Sequence, residues 1–152
     1  MNEALDLLST TDADARASRP AVTSAVTRGA ARLFADLGYA SIPEFHLPNG
    51  RRADLAGLSP KGEIAIAEVK SGVEDYAADA KWPDYLGFCD AFYFAVGPDF
   101  PRALLPDEAG LIIADRFGGA VVRDPPARNL AAARRKALTL RFARQAAARL
   151  GV

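Results

Sequence analysis

Three short β-prone segments separated by turn residues constrain the fold of this chain most strongly. They cover residues 40–47 (ASIPEFHL), 51–58 (RRADLAGL) and 64–71 (IAIAEVKS), and the connections contain Pro48-Asn49-Gly50 and the loop SPKGE. Short connections that contain glycine and proline typically join neighbouring antiparallel strands. The pattern therefore predicts a three-stranded antiparallel meander.

The third segment places an acid and a lysine inside an apolar run. Side chains alternate across a strand, so Ile64, Ile66, Glu68 and Lys70 share one face while Ala65, Ala67 and Val69 share the other. A five-residue SPKGE loop pairs Leu58 with Ile64, Ala56 with Ile66 and Asp54 with Glu68. This register predicts that two carboxylates face each other across the strands.

Opposed carboxylates repel each other, and a cation between them would remove the repulsion. Oxygen ligands favour Mg²⁺, for which Mn²⁺ is a common substitute, and we expect Asp54 and Glu68 to bind it. Glu44 is an alternative third ligand. A two-residue Asn-Gly turn would set Phe45 opposite Asp54, whereas a three-residue Pro-Asn-Gly loop would set Glu44 there. A salt bridge between Glu68 and Lys70 is the competing structural interpretation.

Composition excludes several classes of protein. The 152 residues suit one ordinary domain, and there is neither an apolar run long enough to span a membrane nor a basic-then-apolar leader, so we expect a cytoplasmic protein with no membrane partner. With a single cysteine, Cys89, and a single histidine, His46, the chain can form neither an internal disulfide nor a Cys/His zinc cluster. A metal would have to be bound mainly by oxygen.

The start of the chain lacks a hydrophobic period, so we predict a loosely ordered tail over 1–18 and a single domain over 19–152. A first amphipathic helix is predicted from an N-cap at Ser18 to a stop at Gly38. Its apolar positions recur at helical spacing: Val22, Val26, Ala30, Leu33, Phe34 and Leu37.

The second half of the chain predicts two further buried strands, AFYFAV and AGLIIAD, and a short edge strand in GAVVRDPP. Before them, VEDYAADAKWPDYLGFCD predicts a helical stretch interrupted near Pro83. In that stretch Lys81 is a candidate phosphate contact, and Trp82 is interpreted as a core residue in preference to a base-stacking one.

The last segment, NLAAARRKALTLRFARQAAARL, predicts a long helix whose packing positions are Leu130, Ala133, Ala137, Leu140 and Ala147. Residues 125–152 contain seven Lys/Arg and no acid, whereas residues 1–124 contain 12 Lys/Arg and 19 Asp/Glu. This excess of positive charge could attract the phosphates of a nucleic acid, or the basic residues could form an ordinary solvated surface. Its candidate DNA contacts are Arg134, Arg135 and Arg141.

The arrangement of Asp54 followed by Glu68-Val69-Lys70 resembles the PD-(D/E)XK nuclease superfamily, although Ala53 stands where the superfamily name has proline. NGRRADLAGL, GEIAIAEVKSG, KWPDYLGFCDAFYFAV and RRKALTLRFAR together resemble the MmcB-like family of bacterial DNA-repair proteins, from about Val22 to Leu150. The resemblance implies an α/β fold with a restriction-endonuclease-like core, in which a mixed sheet containing the meander is flanked by helices.

The resemblance also implies metal-dependent hydrolysis of DNA phosphodiester bonds. Asp54 and Glu68 would bind Mg²⁺ together with the Val69 backbone carbonyl, and Lys70 would orient water and offset charge on the phosphate. Arg52 is a further candidate for DNA contact. A binding module that keeps the fold without turnover is the alternative, an RNA substrate stays open, and a homodimer would suit duplex or junction cutting of branched or damaged DNA.

Overall fold

The computed structural model of the chain describes the backbone of residues 3–151 and the side chains of residues 19–151. A six-stranded mixed sheet with the strand order β1-β2-β3-β4-β5-β6 forms its centre. The strands are β1 (Ala40–His46), β2 (Arg52–Leu58), β3 (Ile64–Lys70), β4 (Ala91–Val96), β5 (Gly110–Asp115) and β6 (Gly118–Arg123). The helices are α1 (Glu3–Asp36), α2 (Val73–Ala77) and α3 (Ala132–Arg149), with 3₁₀ turns over Trp82–Phe88 and Arg102–Leu104.

The predicted meander is confirmed, because β1, β2 and β3 pair antiparallel. The register also agrees with the prediction, since Leu58 pairs with Ile64 and Ala56 pairs with Ile66. Strands β4 and β5 continue the sheet parallel to β3, and β6 closes the edge antiparallel to β5. The fold is therefore mixed α/β, with the meander on one side and three parallel strands running through β3, β4 and β5.

Each face of the sheet carries its own core. On one face, Ile64 and Ile66 of β3 pack with the 3₁₀ segment and with Leu138 and Phe142 of α3. The opposite face, to which Ala65, Ala67 and Val69 contribute, packs against α1 through Val26, Ala30, Leu33 and Phe34. The alternation predicted for β3 thus divides its side chains between the two layers.

Helix α1 approaches β5 and β6 closely because Gly29 has no side chain. A Cβ atom at this position would lie 1.9 Å from the Asp115 carbonyl oxygen. The helix ends before Gly38, whose φ of 92° fits the predicted stop. It begins at Glu3, so the predicted N-cap at Ser18 is wrong, while the prediction of a loosely ordered tail over 1–18 remains a prediction.

The C-terminal helix forms where it is predicted, but it packs through a different face. Leu138 and Phe142 are buried, whereas Ala133, Ala137, Leu140 and Ala147 are exposed. Of the predicted packing positions only Leu130, just before the helix, contacts the core. Within the part of the chain that the structure describes, no helix has both the length and the apolar character needed to cross a membrane.

Candidate active site

The predicted catalytic residues meet at the carboxyl end of β3. Asp54 from β2 and Glu68, Val69 and Lys70 from β3 line one open cavity of ≈ 1020 Å³. Its other walls come from the start of the core-packing part of α1 and from the segment after β3: Arg19, Pro20, Thr23, Ser24, Ser71, Gly72, Val73, Glu74 and Asp75. The cavity reaches the upper end of the range of about 300–1,000 Å³ typical of small-molecule sites.

Backbone hydrogen bonds fix the orientation of both carboxylates. The Asp54 amide donates to Glu68 Oε1 at 2.9 Å, and the Val69 amide donates to Asp54 Oδ2 at 2.8 Å. The carboxylate of each acid therefore accepts a hydrogen bond from a backbone amide of the neighbouring strand. In a regular ladder these amides would donate to backbone carbonyl oxygens. The two acids are held facing each other at this end of the sheet.

Burial and mutual repulsion make this pair hard to ionise fully. Glu68 is 6 % exposed, and burial together with the nearby Asp54 charge raises its pKa to about 8. Burial also raises the pKa of Asp54, in spite of the hydrogen bond from the Val69 amide and the charge of Lys70. Without a cation, the pair holds a proton that two isolated carboxylates would have lost at neutral pH.

Lys70 pairs with Asp79, a residue that the sequence did not single out for this role. Its Nζ lies 2.9 Å from Asp79 Oδ2, and the two side chains are 9 % and 15 % exposed. Burial lowers the pKa of Lys70, but the hydrogen bond and charge of Asp79 outweigh it and raise the pKa overall. Glu68 and Lys70 form no ion pair among the described side chains, so the competing salt-bridge interpretation is not what holds these residues in place.

The ladder between β1 and β2 is interrupted opposite the acid pair. Pro43 pairs with Leu55 and Phe45 pairs with Ala53, so Glu44 lies opposite Asp54, as the three-residue loop predicts, but the two residues do not pair. The alternation of faces breaks here as well, because Ala53 and Leu55 belong to different core layers.

Glu44 has a φ of 52°, which is costly for any residue except glycine. Arg149, in the last turn of α3, donates to the carbonyl oxygens of Pro43 and Glu44. The helix therefore clamps the distorted segment that faces Asp54. No local sequence signal marks this contact, since Arg149 and Glu44 lie far apart in the chain and come together only in the folded protein.

Substitution of Glu44 by glycine should preserve or raise stability, because glycine adopts a positive φ without steric cost. Substitution by valine should be less stable than the glycine variant by about 1–2 kcal/mol, since a Cβ-branched residue is strained in this region. Urea denaturation measures both values. At Ser41, in regular β1 backbone, the order should reverse and valine should be the better residue. The same order at both positions would contradict the strain at Glu44.

Glu44 itself is exposed and does not line the cavity. Among the described side chains, no group of three or more His, Cys, Asp or Glu residues is arranged to hold a metal ion. A site of two carboxylates nevertheless fits Mg²⁺, which commonly uses one or two protein carboxylates and fills its other positions with water and phosphate oxygens. A cation bound by Asp54 and Glu68 would remove the repulsion between these facing carboxylates, which contributes to the raised pKa of Glu68.

Lys81 and Arg52, the two further residues predicted as nucleic-acid contacts, are both exposed. Lys81 lines a smaller cavity together with Glu68, Lys70 and Asp79. Trp82 packs in the core, where its ring stacks on Phe92 with 5.8 Å between centroids, in agreement with the core interpretation. The charged groups of Lys81 and Arg52 are therefore available to solvent, whereas Trp82 is partly buried against the core.

The three arginines predicted as DNA contacts on α3 differ in their contacts. Arg135 forms two hydrogen bonds to Asp90, at 2.6 and 2.7 Å, and another to the Gly62 carbonyl, so it is committed to the fold. Arg134 donates to the Gly87 carbonyl, and Arg141 makes a long 3.4 Å contact to the His46 carbonyl. Because carbonyl oxygens carry no net charge, Arg134 and Arg141 keep their positive field.

This fold and site define an α/β protein with paired carboxylates and a lysine at the carboxyl end of a central strand. The model of the MmcB-like family, described as DNA repair protein MmcB-like, matches residues 9–152. The chain therefore belongs to the MmcB-like family of DNA-repair proteins, and the resemblance found from the sequence motifs is confirmed.

A solved structure supports the same grouping. The chain is similar to SPO1766, a protein of unknown function from Silicibacter pomeroyi, with 46% sequence identity and a TM-score of 0.82 over 85% of this chain and 88% of that one. Comparison with curated proteins gives no match. The family thus points to DNA repair, and the site geometry carries the more specific inference about chemistry.

Proposed function

We propose that this protein hydrolyses DNA phosphodiester bonds with the help of a divalent cation held by Asp54 and Glu68. The observation that carries the proposal is the facing pair of carboxylates, buried Glu68 and partly buried Asp54, each fixed by a backbone amide, beside Lys70 on the same strand as Glu68. A purely structural role would be difficult to reconcile with this pair, because its repulsion works against folding. The order of acid, acid and lysine is that of the PD-(D/E)XK superfamily.

A bound Mg²⁺ or Mn²⁺ would supply Lewis-acid stabilisation of the phosphodiester and would lower the pKa of water in the site. Asp54 and Glu68 would hold the cation through oxygen atoms, with the Val69 backbone carbonyl as a further candidate ligand. Lys70, held by Asp79, donates a hydrogen bond from its ammonium group to a phosphate or water oxygen and offsets the charge that develops on the phosphate.

The C-terminal half of α3 provides a route for the DNA backbone toward this site. Gln145 donates to the His46 carbonyl at 2.8 Å, and His46 pairs with Arg52 at the end of the meander where Asp54 lies. Arg134, Arg141, Lys136 and Arg144 lie on this helix and have no acidic partner among the described ion pairs. These cations suit phosphate contacts, whereas the charge of Arg135 is already paired with Asp90.

A DNA-binding module without turnover is the second candidate. The observation in its favour is that, among the described residues, no third acidic side chain is placed to hold a metal together with Asp54 and Glu68, although Glu74 and Asp75 also line the cavity. Both functions predict salt-sensitive DNA binding, so binding by itself does not separate them.

A nicking assay separates the two functions. We expect purified protein to nick DNA only when Mg²⁺ or Mn²⁺ is present, and a panel of linear, flapped, branched and mismatched duplexes, with matched RNA strands, will show which structure is cut. Ca²⁺ in place of Mg²⁺ serves as a control for binding without hydrolysis. Salt-sensitive binding with no nicking of any substrate in either metal would support the module and overturn the nuclease.

A further inference from the structure

We infer that the groove beside the acid pair is a binding site for one unpaired nucleobase of the DNA, an inference that rests on the proposed function and specifies its substrate. The groove has a volume of ≈ 390 Å³ and lies between α1 and the loops after β3, β4 and β5. Its residues are mainly apolar, and those on the walls include Val22, Val26, Val73, Pro98, Phe100 and Pro101.

The position of the groove is the first argument. Strands β3, β4 and β5 run parallel, and the crevice outside the carboxyl ends of such strands is the usual place for ligands in open α/β sheets. The segment 71–73, directly after Lys70, lines both this groove and the cavity of the acid pair. A ligand with its phosphate at the acid pair can therefore place an adjoining group in the groove.

The chemistry of the walls selects that group. Two valines, Val22 and Val73, are 36% and 44% exposed on opposite sides of the groove, which leaves apolar surface open to solvent. The polar side chains of the lining besides Ser71 are Asp99 and Asp115, whose carboxylates would repel a phosphate. Asp115 Oδ1 already accepts from the Phe117 and Gly118 amides, which leaves Asp99 and the second oxygen of Asp115 to accept a hydrogen bond from the exocyclic amino group of a base. A nucleobase combines apolar faces with such an edge.

The size of the groove decides between a paired and an unpaired base. Its volume is at the low end of the range of about 300–1,000 Å³ for small-molecule sites, so it has room for a single nucleoside and not for a duplex. A base must then leave the stack to enter, and the cost of a few kcal/mol is least at a mismatched or unpaired position. The groove therefore favours DNA in which the base beside the reacting phosphate is already unpaired.

Gly72 gives a way to close the groove without disturbing the backbone. It lies in the segment shared by both cavities, its φ of −174° is extended, and a Cβ at this position would meet no atom within 4 Å. A leucine is therefore tolerated sterically, and its side chain occupies open space beside the groove. Gly118 has similarly open surroundings and is not part of the groove lining, although it pairs with Asp115 of that lining, and it gives a matched control.

The test compares the wild type, Gly72→Leu and Gly118→Leu for binding to two duplexes, measured by fluorescence anisotropy in EDTA. One duplex is fully paired, and the other carries a single unpaired 2-aminopurine whose fluorescence reports its environment. We expect the wild type and Gly118→Leu to bind the unpaired duplex about 10-fold more tightly, in the range known for stacking of one base on a protein. Gly72→Leu should lose this preference and the fluorescence change, so that its affinities for the two duplexes become equal.

Equal affinity of the wild type for both duplexes, or an undiminished preference in a folded Gly72→Leu variant, would overturn the inference. If Gly72→Leu does not fold, Val73→Gln makes the same comparison by adding a polar group to the wall. Nicking in Mn²⁺ is measured on the same samples. Nicking without any preference for the unpaired base would contradict the base-binding site and support the nuclease activity. A preference without nicking would support the base-binding site and contradict the nuclease activity.

Discussion

Replacement of Lys70 by methionine is expected to lower the rate of DNA cleavage by about 10²–10³-fold and to leave the affinity for Mn²⁺ unchanged. The loss is that of one preorganised electrostatic stabiliser, because the ammonium group acts on phosphate and water and not on the cation. Single-turnover cleavage and calorimetric Mn²⁺ titration measure the two effects separately. Since the change also leaves Asp79 without its partner, Lys70→Met/Asp79→Asn is the control for stability.

Glu68→Gln gives the contrasting result. It should abolish Mn²⁺ binding and cleavage together, and the metal-free protein should be as stable as the wild type or more stable. Glutamine keeps an oxygen that can accept from the Asp54 amide and, unlike glutamate, cannot carry a charge that repels Asp54. Asp54→Asn should behave in the same way. Loss of metal binding in Lys70→Met, or strong destabilisation by Glu68→Gln with metal binding unchanged, would contradict the assigned roles.

The largest effect on stability is expected at Asp90, which joins α3 to the sheet. Its carboxylate accepts hydrogen bonds from the Ile64 and Leu130 amides and two from Arg135, and the Asp90 and Arg135 side chains are 10% and 24% exposed. Asp90→Asn should lower the free energy of unfolding by about 3 kcal/mol, since it leaves a largely buried guanidinium without its counter-charge. Chemical denaturation measures this loss.

Asp84→Asn is the matched control for that measurement. Asp84 pairs with Arg51 at 3.2 Å, but the side chains are 49% and 33% exposed, so its loss should cost less than about 1 kcal/mol. Burial alone would raise the pKa of Asp90, but the hydrogen bonds from Arg135 and the two amides lower it overall. Its stabilisation should therefore be present above the ordinary aspartate pKa of about 4 and lost as the pH falls below it. Equal costs at Asp90 and Asp84 would contradict this role.

The meander could be predicted from the sequence because its determinants are local. Turn residues fix the connections, and the alternation in β3 fixes which side chains face each other, so the register that brings Asp54 to Glu68 follows from a short stretch of chain. The buried strands β4 and β5 were predicted for a similar reason, since each is a compact apolar run between breakers. This part of the site was therefore predictable.

The contacts between distant segments could not be predicted in this way. The predicted packing face of α3 consisted mainly of alanines, but the structure buries Leu138 and Phe142, and Arg135 of the same helix is anchored to Asp90. The break in the ladder at Glu44 involves a contact with Arg149, which is distant in sequence. Lys70 pairs with Asp79, which lies between two short helical segments. Each of these requires knowledge of tertiary structure, which residue periodicity does not contain.

Titration of the metal-free protein with Mn²⁺ by calorimetry at about pH 7 tests the central claim most directly, with the experiment repeated in buffers of different ionisation enthalpy. The pKa of Glu68, raised to about 8, means that the acid pair holds a proton which a bound cation must displace. We predict binding of a single ion with release of a proton in the wild type, and no binding in Glu68→Gln. A wild-type protein that takes up no ion at millimolar concentration, or a Glu68→Gln variant that binds as tightly, would contradict the account.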